Sequence, residues 1–277
     1  MDTLVSKVIQ TRAQAAALLA EVLPESTGRS EREVRDAIRD RAALQSEWYP
    51  DGWYDPPEGG VAVLFGDGPQ YERLQFDSLR SPQFFASNDV RSGSETVGLV
   101  YVSPVDRATG MIGDIGFSFY RGEDVHIQQH LKACHDVLLA SAHMIEVGMP
   151  FRDIYHTTMD QFAKSEKKIG WMTTDHDPLK INLGHTVPAS LGECVLPQGS
   201  FEEVREAIRS SRLYINAEET FRVPATGAFT LEARLTDMSE TLPNAFFHFI
   251  VTFSDGKRDI RSDFGDIFTS LEMHYMV

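Results

Sequence analysis

Cysteine is scarce in this chain, with only Cys134 and Cys194 among 277 residues. The two do not form a CxxC pair, and two distant thiols make no disulfide framework. Cys134 falls in a stretch with helical spacing of apolar residues, which predicts a buried and unreactive thiol. Neither a disulfide-stapled fold nor a CxxC redox motif is therefore expected.

Basic residues are also few, since 26 Lys and Arg stand against 41 Asp and Glu, giving a formal net charge of −15. Binding to a phosphate backbone requires a basic footprint, and so does attraction to an anionic membrane surface. We therefore expect no nucleic-acid partner and no membrane partner. Much of the acidic excess is expected to form a solvated surface.

Long apolar runs and nucleotide-binding motifs are missing from the sequence. No run of about 18 apolar residues occurs, and the N-terminus lacks a basic start followed by an apolar core. We expect a soluble, cytoplasmic protein. Without GxSxG, P-loop or GxGxxG motifs, hydride transfer from a Rossmann-bound cofactor and P-loop hydrolysis of nucleotides have no support.

The apolar residues that are present, 42% of the chain, follow a repeated order of elements. Apolar spacing predicts helices over 3–23, 30–44, 125–147, 150–168 and 201–212, the second opened by a capping box at Ser30 and Glu33. Strands are predicted over 61–65, 97–102, 114–120, 183–187, 229–235, 245–253 and 271–276. Two helices followed by strands thus occur twice, in halves of about 1–120 and 121–277. This order predicts an α+β fold, with helices on one face of a curved antiparallel sheet and a site between the halves.

The turn-rich segment 48–60 contains Trp48, Tyr49, Trp53 and Tyr54. It is interpreted either as a structural loop packed by its own rings or as a lid or pocket wall. In the second interpretation Trp53 and Tyr54 bind substrate. Together with the acidic balance, these rings suggest a small, partly apolar, cationic ligand held by cation–aromatic contacts.

Three separate segments each place one metal-capable side chain in an apolar or glycine-bounded context: Asp114 in 112–116, His185 in 183–187 and Glu232 in 227–235. One histidine and two carboxylates suffice to hold a divalent cation. The structural alternative is that Asp114 caps a turn, His185 is a hydrogen-bonded core histidine, and Glu232 pairs with an arginine at 222 or 234.

The order of these segments resembles the pita-bread metallopeptidase family, which includes methionine aminopeptidase, aminopeptidase P, prolidase and the metal-free creatinase. The resembling parts are Gly-Asp at 113–114, Gly-His at 184–185, and the Pro224, Gly227 and Glu232 spacing. The resemblance covers most of the chain. It implies a single pita-bread domain over 1–277, in the short form without an additional N-terminal domain.

The family binds two metal ions through two aspartates, one histidine and two glutamates, and only part of that set is present. Asp114, His185 and Glu232 match, whereas the first aspartate falls on Ser103, with Asp106 nearby at the wrong spacing. The last glutamate falls on Phe247, next to His248, and neighbours on a strand point to opposite faces. An inward His248 would be a fourth metal ligand. We favour an inward Phe247 that lines the substrate site.

The retained residues imply a mononuclear site for one divalent metal, namely Fe, Mn, Co or Zn. Proton transfer is assigned to Glu232 or to Glu218 and Glu219 nearby in sequence. The family's two helper histidines are missing. Arg91 is the nearest polar candidate for one of them, and His176 is expected to line the pocket.

Three functions follow from this interpretation. The first is metal-dependent hydrolysis or lyase-type cleavage of an amide or C–N bond in a small amino-acid-like or amide-like substrate. The second is oxidation by non-haem Fe(II) and O2 on the same residues. The third is a catalytically silent pita-bread module that only binds its partner. The expected partner is a small molecule, with a homodimer as an alternative to a monomer.

Overall fold

The structure, a computed structural model, describes residues 3–66, 71–170, 177, 179–192 and 199–277. The α-helices in these ranges are α1 (Thr3–Val22), α2 (Glu31–Ala43), α3 (Val125–His143), α4 (Phe151–Lys164), α5 (Phe201–Ser210) and α6 (Gly265–Ser270). The β-strands are β1 (Val61–Gly66), β2 (Val97–Val102), β3 (Ile115–Tyr120), β4 (Lys167–Ile169), β5 (Gly227–Asp237), β6 (Ala245–Ser254) and β7 (Lys257–Arg261). None of the helices in the described ranges has the length and apolarity needed to cross a bilayer.

The seven strands form one antiparallel sheet in the order β1-β2-β3-β6-β5-β4, with β7 paired to the free part of β6. This order is symmetric about its middle, because the two halves meet where Phe117 of β3 pairs with Phe247 of β6. The first half contributes α1 and α2 followed by β1, β2 and β3, and the second contributes α3 and α4 followed by β4, β5, β6 and β7, with α5 between β4 and β5. The α+β class and the repeat predicted from element order are confirmed.

Local sequence signals account for several element boundaries. At the start of α2, Ser30 Oγ accepts a hydrogen bond from Glu33 N at 3.2 Å, and the Glu33 carboxylate accepts one from Ser30 N at 2.7 Å. The predicted capping box is therefore confirmed. Two strand predictions are wrong. Residues 271–276 follow α6 as a turn and a short 3-10 helix, and 183–187 forms only isolated bridges, at His185 and Thr186.

One face of the sheet is packed against the helices. Phe247 and Phe249 of β6 contact His135 of α3, with ring centroids 5.3 and 5.5 Å apart, and also contact Phe264. Cys134 of α3 is buried, and burial raises the pKa of its thiol to about 12. The predicted inert thiol is confirmed, since its nucleophilic thiolate is disfavoured at neutral pH.

The other face of the sheet carries His248. His248 of β6 pairs directly with Glu232 of β5, and side chains directly opposite each other on adjacent strands project to the same face. Phe247 therefore projects to the helix side. Our preference for an inward Phe247 that lines the substrate site was wrong. The helix side offers this ring an aromatic cluster in which to pack, and the imidazole takes the face of Glu232.

Gly113 provides a test of how the turn before β3 is positioned. A Cβ at this residue would lie 2.5 Å from the backbone N of Arg12 and 2.6 Å from the backbone C of Thr11 in α1. We expect Gly113→Ala to lower the free energy of unfolding by about 1–3 kcal/mol, because backbone must shift to admit the methyl group. Urea denaturation followed by circular dichroism measures the change.

Gly265→Ala is the matched control, because a Cβ there meets no atom within 4 Å. We expect its unfolding free energy to stay within about 0.5 kcal/mol of the parent protein. Equal stabilities of the two variants would contradict the close packing of α1 against the turn that carries Asp114.

Candidate active site

Four predicted site residues come from separate parts of the chain to one region of the sheet. Asp114 directly precedes β3, His185 belongs to the segment 179–192, and Glu232 and His248 are cross-strand partners on β5 and β6. The Trp53 indole contacts two of them, since it hydrogen-bonds Asp114 and packs against His185. The region is therefore a shared site built from both halves of the fold.

Asp114 is fully buried, and both of its carboxylate oxygens accept hydrogen bonds. Trp53 Nε1 donates to Oδ1 at 2.7 Å, and the Tyr101 hydroxyl donates to Oδ2 at 3.0 Å. Burial raises the pKa of Asp114 to about 7, although these two hydrogen bonds and the charges of Arg212 and Arg12 act in the opposite direction. Among the described contacts the Asp114 carboxylate caps no turn; it anchors the aromatic loop through Trp53.

The aromatic loop 48–60 forms a wall of the site. Trp53 packs edge-on against His185 with ring centroids 5.6 Å apart, and Tyr54 packs edge-on against Trp53 and Tyr101 at 5.6 and 5.3 Å. The loop is thus packed by its own rings and also bounds the site, so both interpretations of the segment apply. That Trp53 and Tyr54 bind substrate stays a prediction.

Ser103, at the position of the missing first aspartate, fastens this loop. Its Oγ donates to the Gly60 carbonyl at 3.0 Å and accepts from the Tyr54 amide at 3.1 Å. Asp106 instead closes a local turn, where it accepts hydrogen bonds from the backbone amide and hydroxyl of Thr109. Neither residue offers a free carboxylate to the site.

His185 is neutral, with one ring nitrogen available. Its Nδ1 lies 2.9 Å from the Thr186 carbonyl, which can only accept, so Nδ1 carries the proton and Nε2 carries the lone pair. Burial lowers the pKa of the imidazole to about 3, and the nearby Arg212 charge acts in the same direction. His185 therefore offers an uncharged acceptor over a wide range of pH.

Glu232 has the most available carboxylate of the site. It is partly exposed, and among the described residues none donates a hydrogen bond to it. Arg222 and Arg234 instead donate to the carbonyls of Gly148 and Phe76. Burial raises the pKa of Glu232 to about 8 and the Asp114 charge raises it further, while Arg212 opposes them.

Arg212 supplies a cation that the sequence reasoning missed. Its guanidinium carbon lies 4.6 Å from the Trp53 ring centre and 5.2 Å from that of Tyr214. Its Nε makes a long hydrogen bond of 3.4 Å to the Arg209 carbonyl, and no carboxylate in the described ranges lies within 4 Å of it. No short sequence motif predicts the role of Arg212, because that role depends on the rings of Trp53, 159 positions away, and Tyr214, 2 positions away.

The expectation of a cationic ligand on the aromatic loop is not supported. The rings that were to hold it already carry the protein's own cations, with Arg212 over Trp53 and Arg80 over Tyr54 at 4.0 Å. A second ligand cation would be repelled by these guanidinium groups. The charge of this wall favours an anionic group.

Arg12 of α1 is fully buried beneath the site and was also missed. It donates to the carbonyls of Asp114, His248 and Ser262, and its Nε lies 3.2 Å from the Asp263 carboxylate. A signal was present in the sequence, since Arg12 interrupts the apolar face of α1 at the spacing of Val8 and Ala15. A charged residue on the apolar face of a helix is rarely buried unless it has hydrogen-bonding or ionic partners.

Other predicted site residues lie apart from this region. Glu218 is exposed, and Glu219 accepts a hydrogen bond from the Phe221 amide; in the described ranges neither makes a hydrogen bond to Asp114, His185, Glu232 or His248. Arg91 is exposed and bonds the Gly28 carbonyl and the Glu33 carboxylate. His176 lies outside the described residues.

The predicted metal cofactor does not fit the residues as they are arranged. Within the described ranges, no group of three or more His, Cys, Asp or Glu side chains could hold a metal ion. The contacts show what occupies these groups: each carboxylate oxygen of Asp114 accepts a hydrogen bond, from Trp53 or from Tyr101, and Arg12 lies 3.3 Å from His248 Nδ1. In the described ranges the Glu232 carboxylate and His185 Nε2 accept no hydrogen bond, and the Arg212 cation lies near both.

Comparisons with known proteins identify the fold. The structure is similar to a methionine aminopeptidase from Rickettsia prowazekii, with a TM-score of 0.65 and 11% identity over 94% of this chain and 97% of that chain. It is also similar to a prolidase from Thermococcus sibiricus, with a TM-score of 0.62 and 13% identity over 92% of this chain. A prolidase from Pyrococcus furiosus gives a TM-score of 0.62 at 12% identity.

The chain spans 58% of the Thermococcus prolidase and 62% of the Pyrococcus prolidase, but nearly all of the methionine aminopeptidase. No protein-family model and no curated sequence matches it. At these identities the comparisons establish the fold alone. The predicted pita-bread fold is confirmed.

The raised pKa values of the two carboxylates predict how stability depends on pH. A group whose pKa is higher in the folded protein than in the unfolded chain contributes its full stabilisation at pH values below the unfolded-state pKa. This contribution is lost as the pH rises through the folded-state pKa. For Glu232 the window runs from its ordinary value of 4.5 to about 8. We expect Glu232→Gln to match the parent protein near pH 5 and to exceed it at pH 8.5 by an amount on the order of 1–3 kcal/mol.

Urea unfolding of both proteins across this pH range measures the difference. The exposed Glu218→Gln variant serves as the control and should follow the parent protein at every pH. Identical pH profiles for all three proteins would show that the Glu232 carboxylate is not destabilised by its surroundings.

Proposed function

We propose that this pita-bread site cleaves an amide or other C–N bond in a small substrate that carries a carboxylate, with Glu232 as the proton-transfer group. The observation that carries the proposal is the open Glu232 carboxylate, beside the neutral His185 and the Arg212 cation, behind an aromatic wall. The names of the similar structures, prolidase and methionine aminopeptidase, support cleavage of amide bonds in general.

Arg212 is assigned to binding of the substrate carboxylate. A guanidinium is a planar fork that matches a carboxylate with two parallel hydrogen bonds. Stacking between Trp53 and Tyr214 orders the side chain before the ligand arrives, so little conformational entropy is lost on binding. The aromatic wall shields the contact between Arg212 and the substrate carboxylate from water, and this shielding strengthens the contact.

Glu232 and His185 are assigned to the chemistry. The carboxylate of Glu232 takes a proton from water as the water oxygen attacks the carbonyl carbon. It then returns the proton to the nitrogen, so that the C–N bond breaks and a neutral amine leaves. A group with a pKa near the working pH is suited to both transfers. His185 Nε2, which carries a lone pair, orients the water or the substrate N–H by accepting a hydrogen bond.

This assignment needs only side chains that the structure brings together. The alternatives that require a divalent metal at Asp114, His185 and Glu232, including oxidation by Fe(II) and O2, depend on an arrangement that these residues do not adopt. The silent binding module remains a second candidate. It is favoured by the two hydrogen bonds that Asp114 accepts from Trp53 and Tyr101 within the protein.

Glu232→Gln distinguishes catalysis from binding alone. In the enzyme we expect kcat to fall by about 100-fold or more, because an amide cannot shuttle the proton. Substrate affinity should change only a few-fold. Release of primary amine from a panel of N-acyl amino acids and dipeptides measures turnover.

Glu218→Gln removes a carboxylate on the exposed surface and should leave kcat unchanged. Turnover that survives Glu232→Gln would remove the assigned role of Glu232. Ligand binding without turnover in the parent protein would favour the silent module.

Arg212→Lys tests the carboxylate site. Lysine keeps the charge but loses the fork and the stacking, so we expect KM to rise about tenfold or more while kcat changes little. Arg152→Lys, at an exposed position of α4, is the control and should leave both constants unchanged. An unchanged KM in Arg212→Lys would place the substrate carboxylate elsewhere.

A further inference from the structure

His248 presents an unusual combination of contacts. The ring is buried, its Nδ1 lies 3.3 Å from Arg12 Nη1, and its Nε2 is enclosed without a hydrogen-bond partner in the described part of the chain. Buried polar atoms almost always have a partner, so an orphan of this kind calls for an explanation. A binding group awaiting a ligand is one such explanation.

The contact with Arg12 determines which nitrogen of His248 carries the proton. A guanidinium has only donors, so Nδ1 must accept and cannot bear a hydrogen. The proton of the neutral imidazole therefore lies on Nε2. The orphan atom is a donor, and it cannot serve as a metal ligand in this tautomer because a ring nitrogen that bears a proton has no free lone pair in the ring plane.

The donor of His248 has a matching acceptor beside it. Glu232 is its direct cross-strand partner, and Cβ atoms in such pairs lie about 4.5–5.5 Å apart. The Glu232 carboxylate accepts no hydrogen bond from any described residue. One N–H donor and one open acceptor therefore stand side by side on the same face of β5 and β6.

We infer that His248 Nε2–H and the Glu232 carboxylate together recognise the amide group of the substrate, and that Arg12 is the positioning residue that fixes the His248 tautomer. The amide carbonyl accepts from Nε2–H, and the amide N–H donates to Glu232. This inference rests on the proposed function and specifies its substrate as a secondary amide. Within that function, the donor on Nε2 polarises the carbonyl that is attacked.

The tautomer is measured first, on the parent protein without ligand. Long-range 1H–15N correlation spectra of protein with 15N-labelled histidine distinguish a protonated from an unprotonated ring nitrogen. The signals of His248 are assigned by their loss in His248→Asn. We expect the proton on Nε2. A proton on Nδ1, or on both nitrogens, would overturn the inference without touching the assigned role of Glu232 in turnover.

Ligand recognition is measured next, with N-acetylglycine as the amide probe and acetate as a carboxylate without an amide. We expect N-acetylglycine to shift the His248 Nε2–H resonance and acetate to leave it in place. Acetoxyacetate, which replaces the amide N–H by an ester oxygen, should bind about fivefold more weakly than N-acetylglycine, because it leaves Glu232 without a donor.

His248→Asn and His248→Gln form a matched pair, since an asparagine amide reaches the position of Nδ1 and a glutamine amide reaches that of Nε2. We expect His248→Asn to raise the Kd of N-acetylglycine about fivefold to tenfold, and His248→Gln to raise it less. An Nε2–H resonance that stays fixed at every concentration of N-acetylglycine would overturn the inference, because the amide would then not contact this donor. Equal Kd values in both variants and the parent protein would also refute the inference.

Discussion

The buried guanidinium of Arg12 connects the chain segments that form the site. From α1 it reaches backbone carbonyls at Asp114, His248 and Ser262 and the carboxylate of Asp263. Burial lowers its pKa to about 10, so it stays charged at neutral pH. A buried cation is costly unless its N–H groups are satisfied, and separating these segments would leave the charge unpaired in the interior. The turn of Asp114 and the strand of His248 are thus held against α1 before any ligand binds.

The segments that Arg12 connects also determine the surroundings of two carboxylates, those of Asp114 and Glu232. Asp114 is fully buried and accepts hydrogen bonds from Trp53 and Tyr101, while Glu232 is partly exposed and accepts none from the described residues. Ser103 supports the same arrangement, because it ties the loop whose indole bonds Asp114. Guanidinium groups stand near both carboxylates, with Arg12 bonded to the Asp114 carbonyl and the Arg212 charge near Glu232. The charge balance of the site is supplied by arginines of this chain.

Sequence reasoning predicted the parts of this structure that depend on neighbouring residues. The capping box of Ser30, the strand over 97–102 and the repeated order of elements are local patterns, and all were found in the structure. The roles of Trp53 and Arg212 arise from contacts across 61 and 159 positions, which no short pattern encodes. The face occupied by His248 depended on a one-residue register, and packing of Phe247 against His135 decided it. Arg12 could have been noticed, since it interrupts the apolar face of α1.

The most direct test of this account is an anomalous-scattering map from crystals grown in excess Mn²⁺ or Zn²⁺. The account predicts no ion bonded to Asp114, His185 and Glu232, with the Trp53 indole still within hydrogen-bond distance of the Asp114 carboxylate. An ion coordinated by three of the side chains of Asp114, His185, Glu232 and His248, with the indole of Trp53 displaced, would contradict it.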